Sequence, residues 1–213
     1  MSNVIVLGGH GRVALHVARL LSEAGDSVDA VIRKPEQQDD VRATGAEPVV
    51  ADIEQLDIAG LTDLLRGHDA VVWSAGAGGG SAERTWAVDR DAAIRSMHAA
   101  LEADVQRFAL VSWSDAGLGH GVPEDDDFFA YAEAKTVADA VLRDSALDWT
   151  IVAPSTLTDD APAGSVETAD PSSSIARGDV AAVVVAALHD DASVGKTFRV
   201  NTGAVPIEQF VRD

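Results

Sequence analysis

The chain has 213 residues, 46% of them hydrophobic, with no cysteine and a formal charge of −19 from 35 acidic and 16 basic side chains. That length suits one domain with a real core, the missing thiols exclude disulfides, thiolate metal sites and a cysteine nucleophile, and the negative field argues against nucleic acid or a membrane as partner. No apolar run approaches a bilayer span, and MSNVIVLGGHG carries neither a basic n-region nor a cleavage site, so a cytoplasmic protein without a secretory leader is expected.

VIVLG (4–8) is a short apolar run ending in glycine, as a buried parallel strand should be. The following RVALHVARLLSEAG places Val13, Val17, Leu20 and Leu21 at helical spacing and stops at Gly25. SVDAVIR (27–33) predicts a second strand, AEPVVAD (46–52) a third and DAVVWSAG (69–76) a fourth, which runs into the glycine-rich AGAGGG. Short helices are expected before Gly45 and over IAGLTDLLRG, and a long one from about Glu83 to Ala103. RFALVSW (107–113) predicts a fifth strand, and a helix from about Asp127 to Ser145 follows a glycine-rich loop. DWTIVAP (148–154) is a sixth strand closed by proline, 155–174 lacks periodicity, GDVAAVVVAALHD is a helix, KTFRVN (196–201) a last strand and PIEQFVRD a terminal helix. Alternation of this kind predicts an α/β doubly wound parallel sheet, a Rossmann fold of about seven strands with helices on both faces. The expected domain is 1–213, with 155–178 as a small insertion on the substrate side.

The first strand-to-helix turn is GGHGRVA (8–14). A dinucleotide needs a tight turn, backbone bare of side chains near its pyrophosphate, and free amides at the helix entry. Gly8, Gly9, His10, Gly11, Arg12 and Val13 are therefore candidate cofactor residues. The second strand ends in Arg33 and Lys34, where a cation accommodates the 2′-phosphate of NADP and an acid would take the ribose of NAD, so NADP is expected over NAD. Asp52 and Ile53 after the third strand fit an adenine edge and face, and Ser74, Ala75 and Gly76 after the fourth let a ribose approach the backbone. The histidines (10, 16, 68, 98, 120 and 189) show no ligand spacing, so no metal is expected.

YAEAK (131–135) holds the only tyrosine of the chain and, four residues on, a lysine. Such a pair shares one helix face, which by itself is ordinary helix dressing. Its context is more informative, because VIVLGGHGRVA, VIRKPEQ, VVADIEQ, VVWSAGAG, RFALVSWS, YAEAKTVADAVLRDSALDWTIVAPSTLTDD, RGDVAAVVVAAL and GKTFRVNTG occur in that order. In these segments the chain resembles the short-chain dehydrogenase/reductase superfamily, and within it the compact atypical branch of NmrA-like and biliverdin-reductase-B-like proteins and sugar-epimerase-like proteins.

The resemblance implies Tyr131 as acid/base and Lys135 as its helper, which would also hold the nicotinamide ribose. A phenol ionises near pH 10, and a nearby ammonium lowers that toward the working range. The family's serine after strand five falls on Ser112 or Ser114, with Trp113 between them, and Pro154 and Ser155 should lie toward the nicotinamide. Ala153-Pro154 stands where many relatives have Arg-Pro. The expected function is an NADP-dependent oxidoreductase or epimerase-like enzyme for a small carbonyl or hydroxyl substrate, with a homodimer left open. The alternatives are a non-enzymatic NADP(H) sensor and a flavin or quinone reductase that does not use Tyr131.

Overall fold

The computed structural model describes residues 1–78, 81–168 and 173–213. Gly79 and Gly80 of the glycine-rich run, and positions 169–172 of the expected insertion, lie outside the described residues. The first half comprises β1 (Asn3–Leu7), α1 (Arg12–Glu23), β2 (Ser27–Ile32), α2 (Gln38–Arg42), β3 (Glu47–Val50), α3 (Ile58–Leu65) and β4 (Ala70–Trp73). Then follow α4 (Ala82–Thr85), a π-helical turn (Trp86–Ala92), α5 (Ala93–Glu102), β5 (Arg107–Val111), α6 (Phe129–Arg143) and β6 (Asp148–Pro154). The remainder holds β7 (Thr156–Thr158), β8 (Ser165–Thr168), β9 (Ser174–Ala176), α7 (Arg177–Leu188), β10 (Lys196–Thr202), β11 (Val205–Pro206) and α8 (Ile207–Arg212).

The main sheet runs β11-β8-β10-β6-β5-β4-β1-β2-β3. Strands β3, β2, β1, β4, β5, β6 and β10 are parallel neighbours, which is the doubly wound sheet the alternation predicts. The sheet nevertheless has nine strands rather than about seven, because β8 and β11 add antiparallel pairs beyond β10. These two strands are four and two residues long, too short for a period-2 pattern to show in sequence. They cover backbone that β10 would otherwise leave as an open edge. A separate parallel pair, β7 with β9, forms in the stretch that lacks periodicity.

The chain lays β1, β2 and β3 outward in one direction and returns to place β4 on the other side of β1. That reversal opens a crevice at the carboxyl ends of β1 and β4, where such sheets bind ligands. Helices α1, α2, α7 and α8 cover one face, with Val17, Leu21, Val180, Val184 and Val211 in the core. Helices α3, α5 and α6 cover the other, over Ile5, Leu7, Trp73, Phe108 and Ile151. The strands are buried on both faces, so they read as continuous apolar runs.

The long helix expected over 83–103 is broken by its π-helical turn. Bonding to the fifth residue widens a helix, and here Val88, Asp89 and Ala92 all face inward. Helix α6 starts two residues later than expected because the Asp126 carboxylate accepts the Phe128 amide at 2.8 Å and closes a turn ahead of it.

One charged side chain knits the lower edge of the sheet. Arg107 of β5 donates to the Asp148 carbonyl at 2.6 Å, to Thr150 Oγ1 and the Ala187 carbonyl at 2.8 Å each, and to Ser193 Oγ at 2.7 Å. Burial lowers its pKa against the opposing pull of Asp148 and Asp191. Replacing Arg107 with Met keeps the stem but removes all four of these donated hydrogen bonds. The substitution should destabilise the fold by about 2–4 kcal/mol in urea unfolding followed by tryptophan fluorescence.

Candidate cofactor and active site

The crevice between β1 and β4 is a cleft of about 230 Å³. Of the candidate cofactor residues, Gly8, His10, Gly11, Arg33, Asp52, Ile53, Ser74, Ala75 and Gly76 line it. Gly9, Arg12, Val13, Lys34, Lys135, Pro154 and Ser155 do not. Gly8 has φ +85°, and a Cβ there would stand 2.5 Å from Ala75 Cα; a Cβ on Gly9 would stand 2.7 Å from Ala30 Cβ. The turn is therefore pressed between β4 and β2, and glycine is demanded by the protein's own backbone as well as by any ligand. Helix α1 starts at Arg12 with no side-chain cap and no acid in its first turn, so its leading amides face the cleft mouth unopposed.

The polar groups around the cleft are partly committed. His10 bridges the Asp40 carboxylate at 2.8 Å and Gln37 Nε2 at 3.1 Å, tying the glycine turn to the start of α2. Arg12 is engaged by Asp159, which also pairs with Arg177 at 2.7 Å. Arg33 is exposed at the end of β2 and makes no ion pair among the described residues. Asp52 Oδ1 accepts the Glu54 amide at 3.1 Å. Two residues outside the sequence reading support this rim. Arg95 of α5 donates to the carbonyls of Ile53, Glu54 and Leu56 at 3.0–3.4 Å. Arg84 of α4 lines the cleft, pairs with Glu54 at 3.4 Å and donates to the Ala77 carbonyl. Nothing in a lone arginine on a helix distinguishes such a brace from surface charge, so periodicity could not find either.

Tyr131 and Lys135 lie one turn apart on α6, at the same end of the sheet. Lys135 Nζ is 5.6 Å from the Tyr131 ring centre, 3.4 Å from the Val111 carbonyl and 3.1 Å from Asp89 Oδ1. Lys135 and Asp89 are 5% and 1% exposed, so the ion pair is withdrawn from water. Burial works against the Lys135 charge, but Asp89, with Tyr131 and Asp139, holds its pKa above the ordinary lysine value. Tyr131 departs from expectation. Burial pushes its phenol above the usual value, Lys135 pulls it down, and Asp89 and Asp139 push it up again, so the net shift is upward. The sequence supplies the cation and hides both carboxylates that offset it.

Ser114 is buried and its Oγ approaches Asp115 Oδ2 at 3.3 Å. Ser112 is buried beside Asp139, farther along α6, and helps hold that carboxyl down without a well-aligned hydrogen bond of its own. No hydrogen bond joins Tyr131 to either one among the described residues. Ser155, after Pro154 at the end of β6, is 6% exposed and its hydroxyl is unpartnered. Trp113 stands edge-on to Phe128 at 5.1 Å, and both rings border Tyr131, at 6.4 and 5.0 Å. The loop between β5 and α6 is fastened to α6 by Gly117 N to Thr136 Oγ1 at 3.0 Å and by His120 with Glu133 at 3.2 Å.

Comparison with known proteins places this geometry in a family. Residues 8–191 match the family described as NAD(P)H-binding. The chain is 34% identical to UPF0659 protein YMR090W of Saccharomyces cerevisiae, over 98% of this chain and 97% of that one. It is 32% identical to the uncharacterised sugar epimerase YhfK of Bacillus subtilis, over 98% of each. A solved Bacillus halodurans structure, provisionally named an NAD-dependent epimerase/dehydratase, superposes with a TM-score of 0.91 at 32% identity, covering 99% of both chains. The chain belongs to the NAD(P)H-binding family, and NAD(P)H is the cofactor class it binds. Among the described residues no helix is long and apolar enough to cross a membrane.

Asp139 yields a measurable consequence of this buried chemistry. It follows Tyr131 and Lys135 at helical spacing, pairs with Arg143 at 3.2 Å through Oδ2, and leaves Oδ1 without a partner. Burial pushes its carboxyl up to about 6, against Ser112, Arg143 and Lys135. Between the unfolded value near 4 and the folded value the native state holds the extra proton, so stability falls as pH rises through that window. Asp139→Asn removes the dependence. Its stability relative to wild type, from urea unfolding, should rise by about 2 kcal/mol between pH 4 and pH 7.

Proposed function

We propose that the chain is an NADP-dependent oxidoreductase or epimerase-like enzyme acting on a small carbonyl or hydroxyl substrate, with Tyr131 as acid/base and Lys135 as its helper. The observation that supports this is a buried, charged Lys135 one turn along α6 from a half-buried Tyr131, paired with the Asp89 that packs against Gly76 of the cleft wall. The residues fit the cofactor: bare glycine backbone at the turn, uncapped amides on α1, and small residues at the end of β4. When bound, the nicotinamide supplies or accepts the hydride. Tyr131 then gives the proton to a carbonyl oxygen in reduction, or takes it from a hydroxyl in oxidation, and exchanges it with solvent afterwards. Lys135 keeps positive charge under the phenol, and the buried hydroxyl of Ser155 is a polar group available to orient bound molecules.

Arg33 supports NADP over NAD, being a guanidinium on the cleft wall at the end of β2 with no ion pair among the described residues. Arg12, paired with Asp159, contributes to that choice only if it changes partner. The names of the relatives, a sugar epimerase and an NAD-dependent epimerase/dehydratase, support chemistry at a carbon bearing oxygen. Epimerisation would use the same groups: a hydroxyl-bearing carbon would be oxidised to a carbonyl, with the hydroxyl proton passing to Tyr131, and after the carbonyl turns over, re-reduction at its opposite face would return both hydrogens. The segment from Ser155 to Ala176 is too short to build a large substrate domain, which supports a small substrate. A cofactor-sensing role is the second reading, favoured by the absence of a serine hydrogen-bonded to Tyr131 among the described residues.

A panel of carbonyl compounds, sugars, quinones and flavins, read by loss of NADPH fluorescence, separates these readings. Tyr131→Phe should leave NADPH affinity within about threefold and lower turnover at least about 100-fold. Turnover that survives the substitution transfers the assignment to flavin or quinone reduction, and no turnover on any compound supports the sensor. Arg33→Ala should weaken NADPH binding about tenfold and leave NADH binding unchanged. Tighter NADH than NADPH binding by the wild type would overturn the NADP preference.

A further inference from the structure

Asp89 has no part in the reading of the sequence or in the proton transfer just described, yet it joins the two halves of the site. Its Oδ2 accepts the Ala77 amide at 2.8 Å, at the end of β4. Its Oδ1 lies 3.1 Å from Lys135 Nζ. A Cβ on Gly76, which lines the cleft, would come within 3.1 Å of the same oxygen. The carboxylate thus packs against the cleft wall on one side and against the lysine on the other. Its inward direction comes from the π-helical turn, whose wider bonding faces both Val88 and Asp89 to the interior.

Burying a carboxylate and an ammonium together costs far less than burying either alone, because each answers the other's charge. Tyr131 therefore faces a compensated pair and not a bare cation. The other charged groups around it are accounted for. Asp139 of α6 is paired with Arg143, Glu133 of α6 with His120 of the preceding loop, and Arg84 of α4 is turned to Glu54 and the Ala77 carbonyl.

Resting on the reading of Tyr131 and Lys135 above, we infer that Asp89 is the positioning residue of this site. It seats Lys135 between the end of β4 and Tyr131 and, by neutralising that cation, keeps the phenol protonated, so that the resting site is set to give a proton rather than to take one. In the reductive direction no step is needed to charge the donor. In the oxidative direction the phenol must first lose its proton, against Asp89 and Asp139.

The chain provides an unusually clean test, because Tyr131 is its only tyrosine. Tyrosinate ultraviolet absorbance therefore titrates this one group in the full chain, with neither cofactor nor substrate present. Wild type should ionise above the ordinary phenol range. Asp89→Asn should lower the midpoint by about one pH unit or more, since the remaining ammonium then favours the phenolate uncompensated. Lys135→Met should raise it above wild type, the Asp89 charge now being unbalanced. An unchanged midpoint in Asp89→Asn overturns the inference. Should circular dichroism show that this variant does not fold, Lys135→Met decides, and a midpoint at or below wild type overturns it. The titration does not depend on turnover, so it stands or falls separately from the reductase screen.

Discussion

Three strand ends meet at the glycine turn so closely that two side chains are forbidden there. A Cβ on Gly8 would strike Ala75 after β4, and one on Gly9 would strike Ala30 in β2. This approach is what brings the crevice of the doubly wound sheet to a closed wall on one side and leaves uncapped helix amides on the other. It also sets where the end of β4 lies, and through Ala77 and Gly76 it fixes the reference point against which Asp89 is held. The site is thus assembled outward from one backbone contact. Positively placed side chains such as Arg33 come after it in the order of causes.

The second organising feature is electrostatic. In a chain with a charge of −19, two acids of the protein's interior, Asp89 and Asp139, flank a single buried lysine. Coulomb attraction in a poorly solvated interior is strong enough to hold the Asp89–Lys135 pair, while Asp139, better served by Arg143 at the periphery, gives ground to desolvation. The tyrosine at the mouth responds to all three. Its chemistry is decided by the balance among them and by burial, not by the lysine alone. An acid/base pair that looks complete in sequence is, in the folded chain, a four-residue electrostatic unit.

The parallel core was legible because buried parallel strands advertise themselves as unbroken apolar runs closed by glycine or proline, as in VIVLG and DWTIVAP. The added strands were not, since β8 and β11 owe their conformation to the edge of β10 and carry no pattern of their own. Much of the cleft lining was legible for the same reason as the strands: Gly8, Gly11, Asp52, Ser74 and Gly76 stand at strand ends, and strand ends in this topology converge. Val13, inside the first turn of α1, packs into the core instead, and Lys34 is absent from the lining, because side-chain direction is set by dihedral angles that spacing does not report. Ser112 and Ser114 are both buried, and neither is joined to Tyr131 by a hydrogen bond among the described residues.

What the sequence by itself determined was periodicity and its punctuation: an α/β chain of parallel order, a glycine turn where a dinucleotide's phosphates need bare backbone, a cation after the second strand, and a tyrosine with a lysine on one helix face. These depend on neighbours within a few residues, and local sterics write them directly into composition and spacing. What only the tertiary structure decided was which charges meet. Asp89 lies 46 positions from Lys135 and reaches it through a turn whose widened bonding no propensity foretells. Long-range Coulomb balance in a dry interior depends on distances of a few ångströms between distant segments, and those distances exist only once the sheet has closed on its helices.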